Sequence, residues 1–157
     1  MLKLLLNVPA HAPAIEAGKY LAHALPMLTD YERRDILRSR DVKMNHVRLS
    51  SDDHILPGSV VEVYLHQFPA LPIVYEDGYI TVCRKPSGVS ADKDAYGSVT
   101  MQRWAEISGR KCLQAHRLDN ATSGLLAFAN NQDALNALHS MFAEGSGVKE
   151  YSCVVKG

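Results

Sequence analysis

Cysteine is scarce in this chain of 157 residues: Cys83, Cys112 and Cys153 lie far apart and form no C-x-x-C pair, so neither a zinc ribbon nor a dithiol redox site is encoded. They read as three buried small thiols. The seven histidines show no H-E-x-x-H or similar spacing, and no metal or other cofactor is expected. Long apolar runs are also missing. Leu4-Leu5-Leu6, the longest near the N-terminus, is closed by Asn7 and Pro9, too short for a signal-peptide core or a membrane span. The expectation is a soluble, unexported, cytoplasmic protein that does not engage membranes. Excess charge is absent as well: 17 basic and 17 acidic residues cancel, which excludes gripping nucleic acid by bulk positive charge and leaves the matter to local patches. G-x-G-x-x-G, G-x-x-x-x-G-K-[ST] and G-x-S-x-G do not occur, which removes the usual dinucleotide, nucleotide-phosphate and serine-hydrolase signatures.

What is present fits an ordinary globular chain, with 46% hydrophobic and 22% charged residues, enough for one domain or two small ones. A first segment runs to about His66. Ile15, Tyr20, Leu21, Ala24 and Leu25 follow helical periodicity after Pro13, and Pro26 stands where that helix should stop. Thr29-Asp30-Tyr31-Glu32 has capping-box spacing and predicts a second helix to about Ser39. Val42, Met44, Val47 and Leu49 alternate with polar residues around Asn45-His46, as in two short strands joined by a tight turn. Pro57-Gly58 turns the chain again, and Ser59 to Leu65 reads as a β-branched strand.

Charge within this segment is uneven. Between positions 33 and 48, Arg33, Arg34, Arg38, Arg40, Lys43 and Arg48 face only Asp35 and Asp41, a local net charge of +4. Arg34 and Arg38 share a helix face, and Arg48 extends the stripe into the following strand. Helix, capped basic helix, hairpin and a P-G-x-x-V-E-V strand together resemble the S4 RNA-binding domain, over residues 13–66. The resemblance implies that this basic surface contacts structured RNA. Residues 1–12 are then an N-terminal extension, and residues 67–72, stiffened by Pro69 and Pro72, a linker.

The second segment, residues 73–157, begins with strand-like runs either side of Glu76-Asp77-Gly78, a good hairpin signal. Met101 to Ile107 suggests a short helix stopped by Gly109. A strand to Leu118, a polar turn, a strand from Leu125 to Ala129, a helix capped by Asn131 with Leu135, Leu138, Met141 and Phe142 as its buried stripe, and a strand from Val148 to Val155 complete the pattern. In His116-Arg117-Leu118-Asp119-Asn120-Ala121-Thr122-Ser123-Gly124, an arginine and a carboxylate sit at a strand mouth before a tight turn. By local chemistry alone Asp119 is a turn residue, and Arg117 its surface partner.

HRLDNATSGLL resembles the signature of the RluA-type pseudouridine synthases, and IVYEDGYITVCRKPSGVSA and VKEYSCVVKG resemble that family's opening hairpin with its K-P-x-G turn and its K-x-Y strand. The resemblance implies isomerisation of uridine to pseudouridine in ribosomal or transfer RNA without a cofactor. The base is detached at N1, turned, and rejoined to the ribose through C5. Asp119 then corresponds to the catalytic aspartate, ionised at neutral pH as a nucleophile or base requires. Attack on ribose C1′, addition to uracil C6 and abstraction of a ribose proton all need the same carboxylate. Tyr151 matches the tyrosine that packs against the target base. Arg117 either pairs with Asp119 or contacts RNA where the base leaves the stack.

The implied fold is α+β: a small S4-like αα-β module followed by the N-terminal part of a mixed-sheet pseudouridine synthase catalytic domain. The family's later R-x-H-Q-[IL]-R-x-H type segment, with a basic residue reaching the carboxylate, is not in this sequence. The chain is therefore expected to be an inactive fragment with uncovered strand edges that favour self-association. The alternative is an RNA-binding S4 module attached to an inert synthase remnant.

Overall fold

The computed structural model describes residues 1–94 and 96–156. Its first sheet has the order β1-β6-β3-β4, formed by β1 (Leu2–Asn7), β6 (Val60–Leu65), β3 (Val42–Met44) and β4 (Val47–Arg48), all antiparallel. Residues 2–7, expected within a separate extension, are thus an edge strand of the first segment's sheet. Leu4 and Leu6 lie opposite Val63 and Val61 and are buried, whereas Leu5 is 51% exposed. The Leu-Leu-Leu run conceals this alternation, because the outward position also carries a leucine.

Two helices pack with this sheet. α1 (Ala17–Ala24) buries Ala17, Tyr20, Leu21 and Ala24. It starts later than its periodicity suggests because Ile15 and Glu16 form β2 (Ile15–Glu16), paired with β5 (His54–Ile55). α2 (Asp30–Arg38) begins with the expected capping box: the Thr29 hydroxyl accepts from the Glu32 amide at 3.3 Å, and the Glu32 carboxylate accepts from the Thr29 amide at 2.7 Å. Such a cap contributes about 1 kcal/mol. The β3–β4 turn places Asn45 at φ 49° and His46 at φ 71°, the two left-handed positions a two-residue hairpin demands. His46 adopts a conformation that favours glycine, and its Nδ1 lies 2.8 Å from Glu62.

The second sheet, in order β7-β8-β10-β9, joins β7 (Ile73–Glu76), β8 (Ile80–Lys85), β10 (Gly124–Ala129) and β9 (Leu113–Gln114). Where a mixed sheet was expected, every pairing among the described residues is antiparallel. Asp77 Oδ1 makes the β7–β8 turn by accepting from the Tyr79 and Ile80 amides at 2.7 and 2.8 Å. α3 (Met101–Ile107) is capped by Thr100, and α4 (Gln132–Ala143) by Asn131. The α4 stripe is only half covered: Ala134 is buried, while Leu135, Leu138, Met141 and Phe142 are partly exposed. Two expected strand regions differ. β9 stops at Gln114 and does not reach Leu118, because the His116 ring, and not a backbone carbonyl, takes the next β10 amide. Val148 to Val155 pairs with nothing among the described residues, its valines finding no apolar surface to cover them, so Cys153 is exposed there and only Cys83 and Cys112 are buried as expected.

One hydrophobic core runs from Leu4 through Leu21, Val63 and Leu71 to Trp104 and Phe128, and so includes both segments. Gln67–Pro72, expected as a linker, is packed into it: Leu71 is buried, the Phe68 ring meets Trp104 edge-on, and Trp104 Nε1 donates to the Pro69 carbonyl at 2.8 Å. The loop before α3 closes against the first segment. The Val99 amide donates to the Ala24 carbonyl at 2.8 Å, and Tyr96 stacks on His23 with ring centroids 4.6 Å apart. Gly97 has φ 69°, and a Cβ there would meet the Asn7 carbonyl oxygen at 2.2 Å, so only glycine permits this approach.

Candidate active site

Period-two alternation along β8 turns Thr81, Cys83 and Lys85 inward. Lys85 is completely buried, and all three of its ammonium donors are used: it donates to the carbonyls of Pro86 at 3.0 Å, Val89 at 2.6 Å and Asn120 at 3.0 Å. Burial pushes its pKa below the ordinary lysine value, and the nearby Asp119 carboxylate opposes that shift. The turn that follows, Pro86-Ser87-Gly88, adds two more bonds to the same stretch. The Gly88 amide donates to the Asn120 carbonyl at 2.9 Å, and the Ser87 hydroxyl to the Ala121 carbonyl at 2.9 Å. The Lys85–Gly88 turn therefore clamps the chain just after Asp119 from 35 positions away.

Asp119 itself is exposed. Its carbonyl accepts from the Thr122 amide at 3.0 Å to close the turn, and its carboxylate has no ion-pair partner among the described residues. Leu118 is buried beside it, so side chains alternate inward and outward through the motif, with Arg117 and Asp119 both facing solvent. The Arg117 guanidinium does not pair with Asp119. Its Nε lies 3.7 Å from Asp92, and both line an open cavity of about 540 Å³ with Gln114, Ala115 and His116. An anionic group held at this clamped rim suits stabilisation of positive character developing on a sugar.

Tyr151 is 67% exposed in the unpaired stretch after α4, and no hydrogen bond or ring contact joins it to the Asp119 loop. Among the described residues no group of three or more His, Cys, Asp or Glu side chains is gathered to hold a metal. No described helix is long and apolar enough to cross a membrane.

The basic residues of the first segment do not form one stripe. Arg33 is turned inward, 14% exposed, bonded to the Leu25 and Leu28 carbonyls and to Asp30. Arg34, Arg38 and Arg40 line a groove of about 530 Å³ with Gly18, Ser50 and Ser51. Arg38 also holds Asp35 at 2.6 Å. Lys43 and Arg48 stand opposite each other across β3–β4, on the sheet face away from the buried Val42 and Val63. There Lys43 Nζ lies 5.0 Å from the Tyr64 ring centroid. Glu62 shares that face: the Tyr64 hydroxyl donates to it at 2.7 Å and Lys3 pairs with it at 2.9 Å, which holds its carboxyl at about 2.

Reading motifs alone missed Lys85 and Ser87 as structural partners of Asp119. The signal that could have found them was strand alternation, which places a lysine where an apolar residue belongs, next to a turn.

The dual-specificity RNA pseudouridine synthase RluA of Haemophilus influenzae is 39% identical over 92 residues, 57% of this chain and 42% of that protein. The ribosomal large subunit pseudouridine synthase C of Escherichia coli K12 is 30% identical over 142 residues, 78% of this chain and 44% of that protein. The chain thus spans less than half the length of the curated relatives it matches. The structure of human RNA pseudouridylate synthase domain containing 4 is similar over 47% of this chain and 30% of that one, at 21% identity and a TM-score of 0.40. Residues 79–157, just over half of the chain, match the RNA pseudouridylate synthase family, and the chain belongs to that family.

Proposed function

We propose that this chain serves an RNA pseudouridine synthase that isomerises uridine in structured RNA, ribosomal or transfer, with Asp119 as the reacting carboxylate. The observation that carries this reading is the pinning of the Asp119 loop, which leaves the carboxylate open to a ligand while the backbone on its C-terminal side is clamped by Lys85, Ser87 and Gly88. A uridine extruded from folded RNA would bring its glycosidic bond to this rim. Arg117, in the adjoining cavity, is suited to a phosphate or to the gap the base leaves.

For the first segment, S4-like RNA binding over residues 13–66 is supported by the groove of Arg34, Arg38 and Arg40, with Lys43 and Arg48 available to a second stretch of RNA on the opposite face. Arg33 is a holder of the α1–α2 corner in this reading, not an RNA contact.

The placement of Tyr151 favours a second reading, in which the 157-residue chain binds RNA but does not turn it over. Release of tritium from RNA labelled at uracil C5, measured beside RNA affinity, separates the two. Release that disappears in Asp119→Asn, with affinity kept, supports the synthase reading. Release that persists in Asp119→Asn overturns the role given to the carboxylate. Binding without any release supports the second reading.

A further inference from the structure

The β9–β10 ladder is only two residue pairs long, Phe128 with Gln114 and Ala129 with Leu113. The next β10 donor on that side, the Ala127 amide, would ordinarily seek a carbonyl of a continuing β9. It donates instead to the imidazole of His116, Nε2 accepting at 3.0 Å. A side chain thus substitutes for a strand partner, and the backbone is free to leave the sheet. The His116 carbonyl accepts from Gln114 Nε2 at 3.0 Å, and the ring meets Phe142 of α4 edge-on, centroids 5.1 Å apart. Three residues on, the chain presents Asp119.

We propose that His116 is a positioning residue for Asp119: its neutral ring, by accepting the Ala127 amide, ties the N-terminal side of the loop to β10 as Lys85, Ser87 and Gly88 tie its C-terminal side. The inference rests on Asp119 being the reacting carboxylate. Without the bond, Arg117 and Asp119 would hang from the downstream clamp alone, and positioned catalysis is steeply sensitive to such slack. The bond requires an unprotonated Nε2, hence the proton on Nδ1.

Protonation sets two donors, Nε2–H and the Ala127 N–H, against each other, and the tie is lost. The surroundings oppose that event. Burial pushes the His116 pKa below 6.5, the backbone bond to Arg117 works the other way, and the Lys149 cation lowers it further. Lys149 Nζ sits 4.1 Å from the Phe142 ring centroid on the α4 side, while Arg117 and Asp92 are the charged groups in the cavity the ring lines. Because the folded-state pKa is depressed, the unfolded chain binds more protons between that value and 6.5. The contribution of His116 is therefore complete above pH 6.5 and falls away as pH drops toward the lowered value.

The test uses RNA-free protein and needs no turnover, so failure of the synthase reading, seen in the tritium assay, leaves its outcome readable. His116→Phe keeps an aromatic ring against Phe142 but has no acceptor, while His116→Gln restores an acceptor oxygen at similar reach. Imidazole nitrogen shifts should show the Nδ1–H form titrating below 6.5. Exchange of the Ala127 amide, and of the Thr122 amide bonded to Asp119, should quicken about fivefold to tenfold in His116→Phe and recover in His116→Gln. Wild-type protein should show the same quickening at pH values below the His116 pKa, relative to the general pH dependence of exchange at other amides. Unchanged exchange at both amides in His116→Phe overturns the proposal, as does a ring that carries its proton on Nε2. Should His116→Phe fail to fold, the wild-type titration decides alone: a Thr122 amide indifferent to His116 protonation overturns it.

Discussion

The loop from His116 to Gly124 and the stretch from Val148 to Lys156 both carry family motifs, yet the fold treats them oppositely. In the first, ring, ammonium, hydroxyl and backbone groups fasten the chain on either side of Asp119. In the second, Tyr151 and three valines stand in solvent without a strand partner. The same contrast recurs within α2, where Arg33 is built into the α1–α2 corner while Arg34 faces the groove. A motif therefore does not by itself say which of its residues are fixed; partners from elsewhere in the chain decide that. The difference between held and free side chains can be measured directly.

The largest effect should come from Lys85→Met, which keeps the apolar stem but takes the ammonium donor from the Pro86 and Val89 carbonyls and leaves the Asn120 carbonyl with the Gly88 amide alone. A loss of roughly 2–4 kcal/mol in urea unfolding is expected. A stability within ~0.5 kcal/mol of wild type would show that the clamp is not stabilising. Next, Arg33→Ala should cost about 1–3 kcal/mol, because the Leu28 carbonyl loses its side-chain donor and the Leu25 carbonyl keeps only the Leu28 amide. Arg34→Ala with Arg38→Ala should change stability by less than ~0.5 kcal/mol. That pair should instead weaken RNA binding and lower the log-log salt slope by about 0.7–0.9 for each RNA phosphate that is no longer neutralised. Equal stability losses in both experiments would erase the distinction between held and free arginines.

Glu62 supplies a subtler test, because Tyr64 and Lys3 hold its carboxyl at about 2 against an ordinary 4.5. A depressed folded-state pKa contributes stability above 4.5 that is lost as pH falls toward 2. Glu62→Gln should accordingly flatten the acid limb of a Tm against pH curve across that window, and an unaltered limb would assign it to other carboxylates. The smallest effect belongs to Tyr151→Phe, expected to leave the Tm and urea midpoint of this chain within error, ~0.5 kcal/mol or less. A clear loss of stability would mean that the tyrosine hydroxyl is held after all.

Much of this architecture is legible locally. The Thr29–Glu32 box, the Asp77 turn and the Asn131 cap satisfy backbone donors within three residues, so composition and spacing announce them. The Asn45-His46 hairpin is legible too, although His46 occupies a position that favours glycine. HRLDNATSGLL and its flanking motifs point to the family through residue order alone.

What no local pattern settles is which residues meet. Pairing of β1 with β6 depends on Leu4 and Leu6 finding Val63 and Val61. The division of the basic residues follows from where their elements pack: Arg34, Arg38 and Arg40 line the groove at α2, whereas Lys43 and Arg48 stand on the sheet face away from the buried Val42 and Val63. The hold on Asp119 depends on a buried lysine that bonds Asn120 from 35 positions away and on a ring that takes the place of a strand. The sequence by itself determined the local elements, whose hydrogen bonds close over a few residues, and the chemistry its motifs name. Only the tertiary structure decided which of those groups are fixed and which are free, because fixing them requires burial and hydrogen-bond partners brought together from distant parts of the chain.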